Sequence, residues 1–317
     1  VKSRRTLQMT TQLLRRAGKY LGVNGGVLSI AALVAFTHDT ALTASGDVVA
    51  ALLSTAVLYV SVYTAATINL RGRRRIGRQS SMGAKPIALL SLVSHPLGSA
   101  VERVVHSRYL ALDGPSSLFV APFSAYGAAP VLGVWWAVLV FKLFAFELAF
   151  DGFFYAAHRA VHAHPRIYQL VHKLHHRHTS DVWLLSSLQM TAADVLITHT
   201  LPLLCTLWLV PFGRGIEISL AKTYLLFQEL YGHAGVEHKG RSFGPAPWFA
   251  TVLGIELSAE EHQRHHIQAE VNFSKRFSLF DRLFGTWSAA SVTRGRASPC
   301  PNVPRAQARS WPHSCAG

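Results

Sequence analysis

Histidine is the residue type that could carry chemistry in this chain of 317 residues, which has 17 histidines against 16 acidic residues. Eight of them fall into three clusters: His158 and His162; His172, His175 and His176; His262, His265 and His266. Positions i, i+3 and i+4 lie on one face of an α-helix, so each cluster is expected to aim its imidazoles at one point. Eight ring nitrogens suit two metal ions and exceed what one ion accepts. The spacing therefore predicts a dimetal site.

Imidazole binds zinc, copper, iron and nickel, so the ligand type alone does not select the metal. An all-nitrogen shell for two ions beside apolar segments favours non-haem iron with an open position for a small oxidant, and zinc is the alternative. The competing interpretation of the clusters is a set of solvated or individually hydrogen-bonded histidines. That interpretation is favoured for the isolated residues His38, His95, His199 and His313, and for His178 beside the second cluster.

Other residues near the clusters could support such a site. Asp151, Tyr155, His158 and His162 are spaced by 4, 3 and 4 residues and share a helical face. Asp151 could accept the second ring N–H of a histidine and fix its tautomer, or it could simply end an apolar span. His233 follows the last apolar segment among glycines and is a candidate ninth ligand, with His238 as a weaker tenth.

The composition argues for a membrane protein. Half of the residues are hydrophobic, only 15% are charged and the mean hydropathy is +0.24, whereas a soluble domain carries about 25% charged residues. Three cysteines are too few for a disulfide framework or a thiol-based zinc finger. A soluble enzyme and a small disulfide-rich secreted fold are therefore both unlikely classes.

Apolar segments at residues 20–38 and 48–70 predict a helical hairpin, because an α-helix needs about 20 residues to cross a bilayer. A proline-broken stretch at 114–129 continues into 131–150, and a second pair of apolar segments occupies 195–213 and 216–231. These segments predict an all-α integral membrane protein with about four transmembrane helices in hairpins and a cytosolic histidine-rich helical cap.

The net charge of +15 lies in three regions that lack acidic residues: 1–24, 71–78 and the tail 290–317. Basic flanks of apolar segments are typical of the cytosolic ends of membrane spans, and this distribution disfavours a nucleic-acid binder. Residues 1–19 are interpreted as such a flank, with a targeting segment as the open alternative.

The predicted organisation has four parts. Residues 1–24 form a basic N-terminal flank and residues 25–80 form a transmembrane hairpin with its basic loop. Residues 81–289 form a catalytic domain with further membrane helices, and residues 290–317 form a disordered tail.

Four motifs in this order resemble the fatty acid hydroxylase/sterol desaturase superfamily across residues 130–287. They are the run from Asp151 to His162, the two later histidine clusters, and the ending that contains Asn272 and the run from Phe280 to Thr286. Two features depart from the usual family pattern. Met190 to Asp194 stands where members often show a His-Pro-x-Glu-like element, and Ala234 follows the isolated histidine where sterol-oxidising members tend to show an aromatic residue.

The resemblance implies a membrane-bound non-haem di-iron oxygenase that hydroxylates or desaturates a lipid C–H bond with O2. It implies metal ligation by His158, His162, His172, His175, His176, His262, His265 and His266, and by the isolated His233. Electrons would come from a separate partner such as cytochrome b5 or a ferredoxin with its reductase, since no haem-binding domain is evident. The substrate, whether sterol, sphingoid base or fatty acyl chain, stays open.

The expected location is the endoplasmic reticulum with a cytosolic active site, and a plastid or another organelle is the alternative. A metal-binding membrane transporter or sensor without oxygenase activity is the competing function. A transporter would need polar groups inside its spans, and the segments 48–70 and 195–213 contain no formal charge.

Overall fold

The computed structural model describes six stretches of the chain: residues 2–73, 86–111, 128–177, 184–213, 215–236 and 244–289. Five features considered above lie outside the described residues: the basic residues 74–78, the proline-broken residues 114–127, His178, His238 and the tail 290–317.

The chain begins with a helical hairpin, as the sequence predicts. Helix α1 spans Lys2–Ser45 and helix α2 spans Asp47–Leu70. The single residue between them, Gly46, has a φ of 83°, a conformation that glycine adopts without steric cost. The inner faces of both helices join one buried hydrophobic cluster, which includes Val34 and Val62.

Two further helices follow. Helix α3 spans Pro86–Val105 and continues as a π-helical turn at His106–Leu110. Helix α4 spans Ala128–Ala163 without interruption, although the sequence places Pro130 within it. Pro130 lies in the first turn, where the missing backbone N–H has no helical partner to lose. The same helix therefore extends from the apolar segment to His158 and His162.

The second pair of apolar segments also forms two helices. Helix α5 comprises Ala192–Asp194, a π-helical stretch at Val195–Thr200 and the α-helical Leu201–Leu209. Helix α6 spans Ile216–Gly232.

Of the predicted transmembrane hairpin at 195–231, α5 is among the candidate spans and α6 is not. Residues 217–231 of α6 are all buried, and its closest neighbours are α1 and α2. With 17 residues, including the charged Glu217, Lys222 and Glu229, it is not among the helices long and apolar enough to cross a membrane. It forms the centre of the helical core.

The histidine-rich part consists of short elements: Pro165–Ile167, a π-helical turn at Tyr168–His172, and 3-10 turns at His175–Arg177 and Leu184–Leu188. Three short helices complete it, α7 at Pro247–Val252, α8 at Ala259–Ile267 and α9 at Leu279–Leu283. Glu256 and Phe277 form an isolated β-bridge. Within the described stretches no β-strand is present, which confirms the all-α class.

Four helical segments are long and apolar enough to span a bilayer: Thr10–Ser45, Asp47–Leu70, Gly133–Ala163 and Ala192–Leu209. Between 28% and 50% of each apolar window is buried within the protein. The remaining apolar surface faces outward, as a helix in contact with lipid requires. The predicted membrane fold with about four spans is thus confirmed, while the domain boundaries remain predictions.

We predict that Gly98→Ala destabilises the packing of α3 on α5. A Cβ atom at position 98 would lie 2.5 Å from Cγ1 of Val195 and 3.1 Å from Oγ1 of Thr200. Overpacking of this kind costs about 1–3 kcal/mol, so the unfolding temperature in detergent should fall. Gly133→Ala is the matched control, because a Cβ there meets no atom within 4 Å. An unfolding temperature for Gly98→Ala equal to that of the control would contradict the close packing.

Candidate metal centre

The structure brings the nine histidines together in two groups. The five-histidine cluster contains His158, His162, His172, His176 and His265. The four-histidine cluster contains His175, His233, His262 and His266. Within each cluster, one ring nitrogen of every histidine lies within 4.8 Å of the others. The two clusters are adjacent, since the ring centroids of His176 and His266 are 4.8 Å apart.

Each cluster draws on three parts of the fold. Helix α4 supplies His158 and His162 at its C-terminal end, and the end of α6 supplies His233. Helix α8 is fixed at its start by a capping box, in which the backbone N–H of Ser258 donates to Oε2 of Glu261 at 2.7 Å. This cap sets the phase of α8 and hence the direction of its three histidines.

The expectation that each sequence cluster aims at one point holds for His158 and His162 but is wrong for the other two clusters. His262 and His266 join the four-histidine cluster, whereas His265 between them joins the five-histidine cluster. His172 and His176 likewise both belong to the five-histidine cluster, whereas His175 belongs to the four-histidine cluster. Residues i and i+4 differ by about 40° around a helix, but i+3 and i+4 differ by about 100°, so an i, i+3, i+4 set serves two adjacent ions better than one.

Hydrogen bonds on the outer side of the clusters orient the rings. Nδ1 of His158 donates to the carbonyl of Phe273 at 2.7 Å, and Nδ1 of His265 donates to the carbonyl of Val271 at 2.8 Å. Nδ1 of His233 donates to the carbonyl of Glu229 at 3.0 Å. An acceptor at Nδ1 requires the proton there, so Nε2 of each ring carries a lone pair.

The lone pairs of His158 and His265 face one another, and the Nε2 atoms converge in both clusters. In the five-histidine cluster Nε2 of His158 lies 3.0 Å from Nε2 of His172 and 3.1 Å from Nε2 of His265. In the four-histidine cluster the Nε2 atoms of His262 and His233 are 3.0 Å apart, and those of His175 and His233 are 3.3 Å apart. Two lone pairs at this separation repel each other unless a cation lies between them.

The separations match those of metal ligands. A metal–nitrogen bond of about 2.0–2.1 Å puts adjacent ligand nitrogens about 2.9 Å apart at right angles and about 3.4 Å apart in a tetrahedron. Both ring nitrogens of His162 are buried without a hydrogen-bond partner among the described residues. The residues present therefore fit two metal ions, one for each cluster.

The protonation of the rings is also suited to metal binding. Burial lowers the pKa of His265 to about 3 and that of His233 to about 4. Burial, together with the neighbouring His233, lowers the pKa of His262 well below its ordinary value. Neutral imidazole is the form that ligates a metal, so the folded state keeps these three residues ready to bind.

Asp151 contacts a backbone loop and not a histidine ring, which corrects one of the two predicted roles. Its carboxylate accepts the backbone N–H groups of Lys275 and Arg276 at 2.8 Å and that of Phe277 at 3.0 Å. The loop that it holds includes Phe273, the acceptor of His158. A carboxylate two turns before a helical ligand thus positions the site through a segment more than 100 residues later in the chain.

Tyr155 also contacts the segment after the last histidine cluster. Its hydroxyl lies 3.1 Å from Oγ1 of Thr286 and accepts from Arg159 at 2.9 Å. Its ring stacks on Phe284, with the centroids 5.3 Å apart. Tyr155 therefore links α4 to the end of the cap and makes no hydrogen bond to a histidine among the described residues.

The carboxylate that does orient a histidine is Asp194, which the sequence reasoning did not assign to the site. Nδ1 of His172 lies 2.9 Å and 2.8 Å from its two oxygens. Asp194 is completely buried at the start of α5. Asp194 ends the run from Met190, which stands where members of the family that the chain resembles often show a His-Pro-x-Glu-like element. That position was the only sequence feature that pointed to Asp194.

Fold and site together define a helical membrane protein with a histidine-rich candidate dimetal centre. Residues 143–286 match the model of the family described as fatty acid hydroxylase. This match supports the resemblance to the fatty acid hydroxylase/sterol desaturase superfamily that the motifs predict. No solved structure matches the chain.

Several curated proteins match about half of the chain. The chain is 27% identical over 158 residues to fatty acid hydroxylase vlmA of Lecanicillium sp, covering 48% of this chain and 43% of that protein. It is 28% identical over 152 residues to methylsterol monooxygenase 1 of Gallus gallus, covering 48% and 47%. It is 28% identical over 159 residues to Delta(7)-sterol 5(6)-desaturase ERG3A of Gibberella zeae, covering 49% and 39%. The matched region thus spans less than half of each of these relatives.

We predict that Asp194→Asn weakens metal binding in the five-histidine cluster. The amide can no longer accept equally at both oxygens from His172, and losing such a partner typically costs 10–100-fold in metal affinity. Titration with a chelator measures this change. Asp151→Asn, at an equally buried position, should lower the unfolding temperature of the protein more than Asp194→Asn does. Unchanged metal affinity in Asp194→Asn would contradict the assigned role.

We also predict that acid destabilises the metal-free protein between about pH 6.5 and pH 4. The unfolded chain protonates its histidines near pH 6.5, while the folded state keeps His265 and His233 neutral to lower pH, so unfolding is accompanied by proton uptake and becomes easier as the pH falls. Bound metal should steepen this trend. Denaturation midpoints at pH 7.5 and pH 5, with and without chelator, test it, and equal midpoints would exclude the neutral buried histidines.

Proposed function

We propose that this chain is a membrane-bound dimetal oxygenase that hydroxylates or desaturates a lipid C–H bond in lipid biosynthesis. The observation that carries the proposal is the convergence of the Nε2 atoms in two adjacent buried clusters. For example, Nε2 of His158 lies 3.0 Å from Nε2 of His172, and Nε2 of His262 lies 3.0 Å from that of His233. The family resemblance favours non-haem iron as the metal, and zinc is the alternative.

The proposed ligands are the two histidine clusters. His158, His162, His172, His176 and His265 would hold one iron, and His175, His233, His262 and His266 would hold the other. When bound, the metal pair would supply the activation of O2 that C–H oxidation requires. Nitrogen-only ligation with buried, neutral imidazoles suits a metal that must keep positions open for a small molecule.

The other residues of the chain hold the rings and exclude water. Asp194 and the carbonyls of Phe273, Val271 and Glu229 keep the protons of four imidazoles on Nδ1, directed away from the metals. His158, His172 and His265 are at most 2% exposed, so bulk water does not reach this part of the site. Exclusion of water protects reactive intermediates from side reactions and strengthens the electrostatic interactions within the site.

The proposed substrate is a lipid. The relatives include a fatty acid hydroxylase, a methylsterol monooxygenase and a sterol desaturase, which supports oxidation of a lipid C–H bond as the reaction. Spans with outward apolar faces support access from the bilayer. Electrons would be delivered by a separate protein such as cytochrome b5 or a ferredoxin with its reductase.

The proposed location is the endoplasmic reticulum, with the histidine clusters on the cytosolic side. The basic flank at residues 1–24 and the basic turn that begins at Arg71 support this orientation through the positive-inside rule. A plastid or another organelle is the alternative location.

We predict about two iron ions per chain and loss of O2-dependent lipid oxidation in His265→Ala. His265 lies between the carbonyl of Val271 and Nε2 of His158, so its removal opens the five-histidine cluster. Metal analysis of purified protein and an O2-dependent assay on lipid extracts measure the two effects. His38→Ala is the control, because His38 is buried in α1 beside Asp39 and outside both clusters.

The outcomes separate the candidate functions. One metal ion per chain, or full activity in His265→Ala, would contradict the dimetal oxygenase. Two zinc ions without an oxygen-dependent product would favour a metal-binding sensor or transporter. Loss of both metal and activity in His38→Ala would indicate that the assay reports folding and not the site.

A further inference from the structure

A third group of potential metal ligands lies beside the two clusters, formed by His95, His199 and Glu229. The side chain of Lys275 lies within this group: its Nζ is 2.7 Å from Nε2 of His199 and 2.5 Å from Oε2 of Glu229. The ammonium therefore supplies the positive charge that a third metal ion would otherwise bring. Lys275 is only 8% exposed and Glu229 is 2% exposed, so this ion pair is buried.

Hydrogen bonds extend from Lys275 toward the five-histidine cluster. An ammonium can only donate, so Nε2 of His199 accepts from Lys275 and the ring proton is on Nδ1. Nδ1 of His199 lies 2.9 Å from Oγ1 of Thr198, which in turn donates to Oδ1 of Asp194 at 3.1 Å and to its backbone carbonyl at 2.8 Å. Asp194 accepts from Nδ1 of His172. The donors from Lys275, His199 and Thr198 thus run toward Asp194, whose carboxylate also accepts from His172 on the opposite side.

A second, shorter connection leads from Lys275 to the four-histidine cluster. Oε2 of Glu229 pairs with Lys275, while Oε1 of the same carboxylate lies 3.4 Å from Nδ1 of His233. The backbone carbonyl of Glu229 also accepts from Nδ1 of His233. Lys275 therefore acts through Glu229 on His233, one proposed ligand of the four-histidine cluster.

We infer that Lys275 is a positioning residue shared by both metal sites, and this inference rests on the proposed function. Its ammonium fixes the tautomer of His199 and the orientation of Glu229, and through them it holds His172 in one cluster and His233 in the other with Nε2 directed at the metal. The two sites therefore share one buried cation, although no ligand belongs to both.

The test measures Zn²⁺ affinity of the purified protein in competition with a fluorescent chelator. Single variants His162→Ala and His262→Ala, one in each cluster, assign the two affinities. Lys275→Met should weaken both by about 10–100-fold, the usual effect of losing a partner behind a ligand. Thr198→Val, which removes only the hydroxyl connection, should weaken the five-histidine cluster alone, and Thr198→Ser should retain the wild-type affinity.

Lys222→Met is the matched control for a lost buried ion pair. Lys222 lies on α6, with its Nζ 3.0 Å from Oε2 of Glu102 and 2.7 Å from the carbonyl of Ser99. Its variant is expected to lose stability while both Zn²⁺ affinities stay unchanged. Equal effects of Lys222→Met and Lys275→Met on affinity would show that both act only through folding and would overturn the inference.

The remaining outcomes are also decisive. Wild-type affinity at both clusters in a folded Lys275→Met protein overturns the positioning role but leaves the proposed function intact. If Lys275→Met does not fold, Thr198→Val decides: unchanged affinity in the five-histidine cluster overturns the inference, and a loss confined to that cluster supports it. Wild-type protein that binds fewer than two Zn²⁺ ions contradicts the proposed function and the inference together.

Discussion

The repulsion between imidazole lone pairs is the constraint on which the rest of this structure depends. Nε2 atoms approach to 3.0 Å in both clusters, within a protein interior from which water is excluded. Such an arrangement has a low energy only around cations, and it persists only if each ring is prevented from turning its N–H inward. The acceptors behind the rings are therefore as necessary to the site as the nitrogens that face the metals.

Two of the four acceptors come from one segment that follows α8. The carbonyls of Val271 and Phe273 accept hydrogen bonds from Nδ1 of His265 and His158, respectively. Asp281 holds this segment by accepting the backbone N–H of Phe273 at 2.8 Å. Asp151, on α4, holds residues 275–277 of the same segment through their backbone N–H groups. The cap is thus fastened to the helix that carries the first pair of histidines, and the membrane part and the metal centre form one unit.

Sequence spacing predicted eight of the nine histidines that the structure brings together, because residues one turn apart leave a periodic pattern along the chain; His233 was predicted from its position after the last apolar segment and from the family resemblance. It could not divide them between two ions. His172 ends a π-helical turn and His175 begins a 3-10 turn, so the second cluster does not lie on one regular helix. Sequence spacing also assigned Asp151 a contact that it does not make, and it did not identify Asp194. A helical face reveals only neighbours on the same helix, whereas the partners of Asp151 and Asp194 are distant in sequence.

The same limit applies to α6, for which hydropathy predicts a membrane crossing. Hydropathy averages the apolar residues of this helix with Glu217, Lys222 and Glu229, but the energetic cost of each charge depends on what lies opposite it. In the fold Lys222 pairs with Glu102 and Glu229 pairs with Lys275, and the surrounding helices separate both pairs from lipid. A buried ion pair contributes little to stability by itself, because desolvation offsets the attraction. The pair of Glu229 and Lys275 contacts His233, a proposed metal ligand, and His199, which is not one. Its retention is therefore better explained by the orientation that it imposes on the site.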